Sequence, residues 1–155
     1  MPLEDYARPL AEALGLPEVQ ITNDACQFTI AEKLTIVIEV VSNEGTAHFY
    51  AVVAEIPSGN TEAWCAKLLE AQLFHKEMGE RCCFGLDQSS GLVYLNSMFS
   101  LSAGGGDEDE FISALHEFAN WAERWQDVLA QWQESSSVDD GASSSEEDST
   151  VYLRV

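Results

Sequence analysis

The chain has 155 residues, 46% of them hydrophobic, which is enough for one domain with a sizeable core and too much for global disorder. Acidic residues number 27 against 7 Lys plus Arg, for a formal net charge of −20 and a pI near 4.1. Such a surface repels nucleic acid and anionic membranes, and suits basic or neutral partners.

Leu3, Tyr6, Leu10 and Leu14 recur at helical spacing, predicting a short amphipathic helix that ends at Gly15 with Pro17 beyond. Pro9 lacks an amide donor, so this helix starts near Asp5 or bends at the proline. Over residues 25–30, Cys26, Phe28 and Ile30 alternate with Gln27 and Thr29, the pattern of a half-buried strand. Residues 35–41 are almost continuously apolar and β-branched, which fits a central strand. Ser42-Asn43-Glu44-Gly45 is turn chemistry, and a longer strand over 47–56 stops at Pro57-Ser58-Gly59. Three consecutive strands with short connections predict an antiparallel meander.

Residues 60–79 read as one helix, capped by Asn60 and closed by Gly79 in a left-handed conformation. Trp64, Leu68 and Ala71 share one face, Cys65, Leu69 and Leu73 a neighbouring one, and Phe74 and Met78 point in a third direction. A helix apolar on several sides is buried on more than one. The expected arrangement puts the protein's own sheet on one side and a second copy of the chain on the other; a helix deep in a monomer's core is the alternative. Strands over 82–86 and 92–99 flank a turn at 87–91. After three glycines at 104–106, Asp107 and Glu110 form a capping box for a last helix. Its apolar seam, Phe111, Leu115, Phe118, Ala122, Trp125, Leu129 and Trp132, is expected to pack on the sheet. The composition then turns to Ser, Asp and Glu, dividing the chain into a domain over 1–133 and a flexible acidic tail over 134–155. At the tail's end Val151, Leu153 and Val155 would share one side of a strand able to dock on a free sheet edge, although an incidental apolar end is the plainer reading.

Neither G-x-S-x-G, HExxH nor a P-loop occurs, and His48, His75 and His116 are scattered. Cys26, Cys65, Cys82 and Cys83 lack CxxC spacing and read as reduced, small hydrophobes. A cysteine enzyme built on Cys82 or Cys83 lacks an identifiable base. The expectation is therefore no catalytic residue, no metal and no cofactor. MPLEDYARPL has no secretory pattern and no apolar run reaches membrane-spanning length, so a cytoplasmic location without membrane insertion is expected. A chain with spare apolar faces and no catalytic set points to binding of other proteins. An acidic mimic acting through charge alone is a rival reading, and salt would separate the two.

Several runs carry a family resemblance. Leu68-Leu69-Glu70-Ala71-Gln72-Leu73-Phe74, Glu77-Met78-Gly79, Phe84-Gly85-Leu86-Asp87 and Ser90-Gly91 form one set, followed by the strand at 93–95. Phe111, Phe118, Ala122-Glu123, Trp125 and Leu129 form another, and Gly15-Leu16-Pro17 follows the first helix. Over residues 3–132 the chain resembles the class I chaperones of bacterial type III secretion, the Tir-chaperone-like or CesT family. It departs from their pattern at Pro9, at Cys82-Cys83 and in the Ser-rich tail. The resemblance implies an α+β fold, α-β-β-β-α-β-β-α, with a twisted antiparallel sheet packed by helices, in a cytosolic homodimer without ATPase activity. It also implies that a secreted effector's N-terminal segment binds in extended form, adding a strand and laying apolar anchors into grooves. Candidate groove residues are Leu10, Leu14, Phe28, Ile30, Ile36 and Ile38, some of which are equally readable as core. Candidate dimer-interface residues are Trp64, Leu68, Leu69, Leu73 and Cys83. A regulator of the same fold that sequesters an anti-activator or another secretion-system partner is the alternative function.

Overall fold

The computed structural model describes residues 3–41, 44–73, 78–79, 81–101 and 108–139, with side chains up to residue 135. A 3-10 turn, Leu3–Tyr6, leads into α1 (Ala7–Leu14). Pro9 sits in the first turn of α1, where its missing donor has no partner to lose. Gly15 closes α1 at φ 65, its amide reaching the carbonyls of Ala11 and Glu12. The strands are β1 (Ile21–Thr22), β2 (Ala25–Ile30), β3 (Leu34–Val41), β4 (Thr46–Glu55), β5 (Cys82–Asp87) and β6 (Leu92–Ser100). With α2 (Thr61–Gln72) after β4 and α3 (Glu108–Asp139) after β6, the order matches the expected α+β fold. One six-stranded antiparallel sheet runs β1-β2-β3-β4-β6-β5.

Three features differ from the sequence reading. The two-residue strand β1 adds a hairpin at the edge, its turn made by Asn23 and Asp24 at φ 54 and 57. The helix expected over 60–79 ends at Gln72: Leu73 turns extended, and Asn60 makes no side-chain cap bond. Gln72 ties that last turn to β5, its Oε1 accepting the Phe84 amide at 2.8 Å. Gly79 lies beyond the end of α2 and serves a close approach. It stands at φ 74 beneath Trp121, where a Cβ would meet Trp121 Nε1 at 2.6 Å. Finally, α3 continues past the expected boundary at Glu134 to Asp139. Gln133 anchors this end by donating to the Glu55 carbonyl at 2.7 Å, as Gln126 does to Val52 at 3.1 Å. Those carbonyls lie beyond Ile36↔Ala51, the last β3–β4 pair in that direction, so α3 satisfies groups that the sheet leaves open.

The expected α3 seam forms the core. Phe111, Leu115, Phe118, Ala122, Trp125 and Leu129 are buried against Ile36, Ile38, Phe49 and Leu95 of the sheet's inner face. Phe111 stacks with Tyr6, Phe49 and Phe99 at centroid distances of 4.4, 5.5 and 5.6 Å, joining the N-terminal turn, the sheet and α3. The expected Asp107 cap and the tail strand at 151–155 lie outside the described residues.

Candidate partner-binding groove

Edge strand β2 is only partly covered. β1 pairs with it at Cys26 and Ala25 alone. The Val40 amide donates to the Asp24 carbonyl at 2.8 Å, which sets the hydrogen-bonding phase of the β2–β3 ladder. Through the pairs Cys26↔Ile38, Phe28↔Ile36 and Ile30↔Leu34, the even-numbered residues of β2 turn their backbone groups toward β3. Those of Ala25, Gln27 and Thr29 turn away from β3. Ala25 is taken up by Thr22 of β1; among the described residues no strand pairs with Gln27 and Thr29 on that side.

Beside this open edge lies a groove of about 470 Å³, walled by the end of α1, the end of β2 and the middle of α3. Leu14, Leu16, Phe28, Ile30 and Ala119 make its apolar floor, and His116, Asn120 and Glu123 its polar rim. The following turn presents Ala31 in the lining and holds Ala31 and Glu32 at φ 50 and 57, which L-residues adopt at some cost. Lys33 pins that turn to α3 by an ion pair to Asp127 at 2.7 Å.

The groove gathers Leu14, Phe28 and Ile30 from the sequence candidates. Leu10, Ile36 and Ile38 are fully buried, and they correct to core: inner-face strand residues and the middle of α1 are covered by α3. Leu16 and the α3 contributors were missed. Leu16 follows the helix stop, and His116, Asn120 and Glu123 read as the solvated face of a helix whose seam points elsewhere. Their spacing of 4 and 3 was the available signal, but only the packing of α3 beside α1 gives it meaning.

The dimer candidates also divide. Trp64 and Leu68 are 3% and 5% exposed and correct to core, with Trp64 packed edge-on to Trp132 at 5.9 Å. Leu69 on the neighbouring face of α2 and Leu73 just past its end stand 69% and 58% exposed, and Cys83 is exposed on β5. Two large exposed leucines one turn apart are an unusual surface for a charged protein.

Burial pushes the Cys82 thiol up to about 11, so it carries no thiolate at neutral pH. Among the described residues no group of three or more His, Cys, Asp or Glu side chains stands close enough to hold a metal ion, and no helix is long and apolar enough to cross a membrane.

The model of the Tir chaperone protein (CesT) family matches residues 7–126. Among solved structures, the chain is similar to one in the ExsC-ExsE complex, at 18% identity and a TM-score of 0.63, covering 83% of this chain and 97% of that one. It is similar to a chain of the HopA1-SchA chaperone-effector complex at 11% identity and a TM-score of 0.60, covering 80% and 92%. A chain of the heterodimeric ExoU-SpcU complex, from the type III secretion system of Pseudomonas aeruginosa, matches at 19% identity and a TM-score of 0.51, covering 68% and 78%. These likenesses show a shared fold. No curated protein sequence gives a significant match.

Proposed function

The chain belongs to the Tir chaperone protein (CesT) family, and we propose from this that it binds the N-terminal segment of a type III secreted effector in extended form, in the bacterial cytoplasm. The observation that carries this reading is the pairing of an open strand edge with an apolar groove. Gln27 and Thr29 offer backbone donors and acceptors, while Leu14, Leu16, Phe28 and Ile30 stand beside them to take alternate side chains. Main-chain bonds give affinity without regard to sequence; the groove selects for apolar anchors. A bound segment is thereby held extended and kept from aggregating, which is what secretion in an unfolded form needs. The work uses association alone. Family membership and the buried, fully protonated Cys82 support a binding protein over an enzyme.

In the same reading the functional unit is a homodimer. Leu69 on α2 and Leu73 at its end, with Cys83 on the adjoining strand β5, form its contact. The functional domain spans residues 1–133, and 134–155 form an acidic appendage that follows it.

The test uses Leu14→Asp and Leu16→Asp, two groove residues outside the buried core, Leu14 packing on its margin and Leu16 exposed. With the N-terminal segment of an effector encoded beside the chaperone as titrant, each is expected to weaken binding at least tenfold, with a melting temperature within a few degrees of wild type. Unchanged affinity in both variants would remove the groove from the function.

A further inference from the structure

Resting on the groove reading above, we propose that Glu123 sets the groove's specificity: it selects partner strands carrying a lysine or arginine two positions from the apolar anchor. Glu123 lies half-buried on α3 at the rim of the groove. Among the described residues it has no hydrogen-bond or ion-pair partner. The nearby cation, Lys33, feels its charge but commits its ammonium to Asp127 at 2.7 Å. The chain's other described Lys and Arg side chains give it no relief: Arg8 pairs with Glu12, Lys67 and Arg124 lie over the rings of Trp132 and Trp121, and Arg81 lines a separate pocket with Glu110 and Glu117.

A strand laid in the groove covers this carboxylate. Covering a charge with apolar side chains strips its water and gives nothing back, whereas a cation in the strand compensates. The spacing follows from two repeats. Ala119, on the groove floor, is four residues before Glu123, so the carboxylate sits about 6 Å further along α3. Same-side residues of a strand recur every two positions, about 6.6 Å. An anchor seated over Ala119 therefore brings the second residue along the groove over Glu123. A lysine or arginine there lays its aliphatic stem on the apolar floor and its charged head on the carboxylate. Arginine is the better fit, because its planar fork can engage Glu123 while reaching the Asn120 side-chain carbonyl. A basic partner also matches a chain of net charge −20.

The experiment selects random 12-residue displayed peptides in parallel on the wild-type chain and on Glu123→Gln, Glu123→Lys and Leu14→Asp. Wild-type winners are expected to carry Lys or Arg two positions from a Leu, Ile, Val or Met. Glu123→Gln winners keep the anchor and lose the cation, and Glu123→Lys winners put Asp or Glu in its place. In the best wild-type peptide, changing the cation to Gln is expected to weaken binding about fivefold on the wild type and not on Glu123→Gln, the gain shrinking with salt. Anchored winners without a cation, or a cation preference that survives in Glu123→Gln, would overturn the role of Glu123 while leaving the groove in place. Winners shared with Leu14→Asp, or no winners at all, would overturn both.

Discussion

Replacing Thr29 with proline removes one donor from the open edge of β2 and none from its ladder to β3. The phase set by the Val40–Asp24 bond turns the Thr29 amide away from Ile36 and Leu34, the position in a sheet where proline is tolerated. The fold loses the exposed hydroxyl contact between Thr29 and Thr35 at 3.0 Å and some backbone fit, about 1 kcal/mol, or roughly 2–4 °C in melting temperature. A bound strand loses one main-chain hydrogen bond and keeps an unpaired carbonyl, at a cost of about 1–2 kcal/mol, roughly five- to thirtyfold in affinity. Thr29→Val is the control, since it drops the hydroxyl and keeps the amide. Circular dichroism melts and fluorescence anisotropy with a groove-selected peptide read both effects. The valine variant is expected to bind like wild type and the proline variant far more weakly. Equal affinity of the two would refute strand addition at this edge.

Gly79→Ala combines a left-handed φ with a Cβ 2.6 Å from Trp121 Nε1, so urea unfolding is expected to show a loss of about 2–4 kcal/mol; a loss below about 1 would mean Trp121 moves aside freely. Ser89, through its hydroxyl and amide, and Ser90 donate to Asp87 and hold its carboxyl down to about 2, against 3.8. A depressed folded pKa stabilises above the unfolded value, so the advantage of wild type over Asp87→Asn is expected to be full above about pH 4 and to fade as pH falls from 3.8 toward 2. A gap independent of pH in urea titrations would contradict that assignment. Leu69→Glu with Leu73→Glu is expected to turn a dimer into a folded monomer by light scattering, since both side chains lie outside the protomer's core. A monomeric wild type would dismiss α2 as the contact.

Much of the fold was legible because burial writes a period into the chain. The strands at 25–30, 35–41, 47–56, 82–86 and 92–99 were placed to within a residue, and the seam from Phe111 to Leu129 faces the sheet as its spacing required. The end of α2 was not legible. Phe74 and Met78 extend the apolar pattern, but Met78 is buried in the core beyond the helix, and the Gly79–Trp121 approach answers to α3, a partner some forty residues away. The short β1 carries too few residues to show a period. At the groove, Leu14, Phe28 and Ile30 could be named from their elements, whereas Leu10, Ile36 and Ile38 share the same periods and are core. Periodicity identifies the side of an element that faces inward; whether that side is covered depends on where α3 crosses. Glu123 shows the same limit, since on sequence it is one more acid on a polar helix face.

The claim that a partner strand adds to β2 is tested most directly by residue-resolved amide exchange of the full chain, with and without a saturating groove-selected peptide. The Phe28 and Ile30 amides are already paired to β3 and are expected to change little, while Gln27 and Thr29 are expected to slow at least tenfold. That alternation of protected and unaffected amides along one strand is the signature of a new neighbour. Binding that leaves Gln27 and Thr29 exchanging at their free rates would contradict the account.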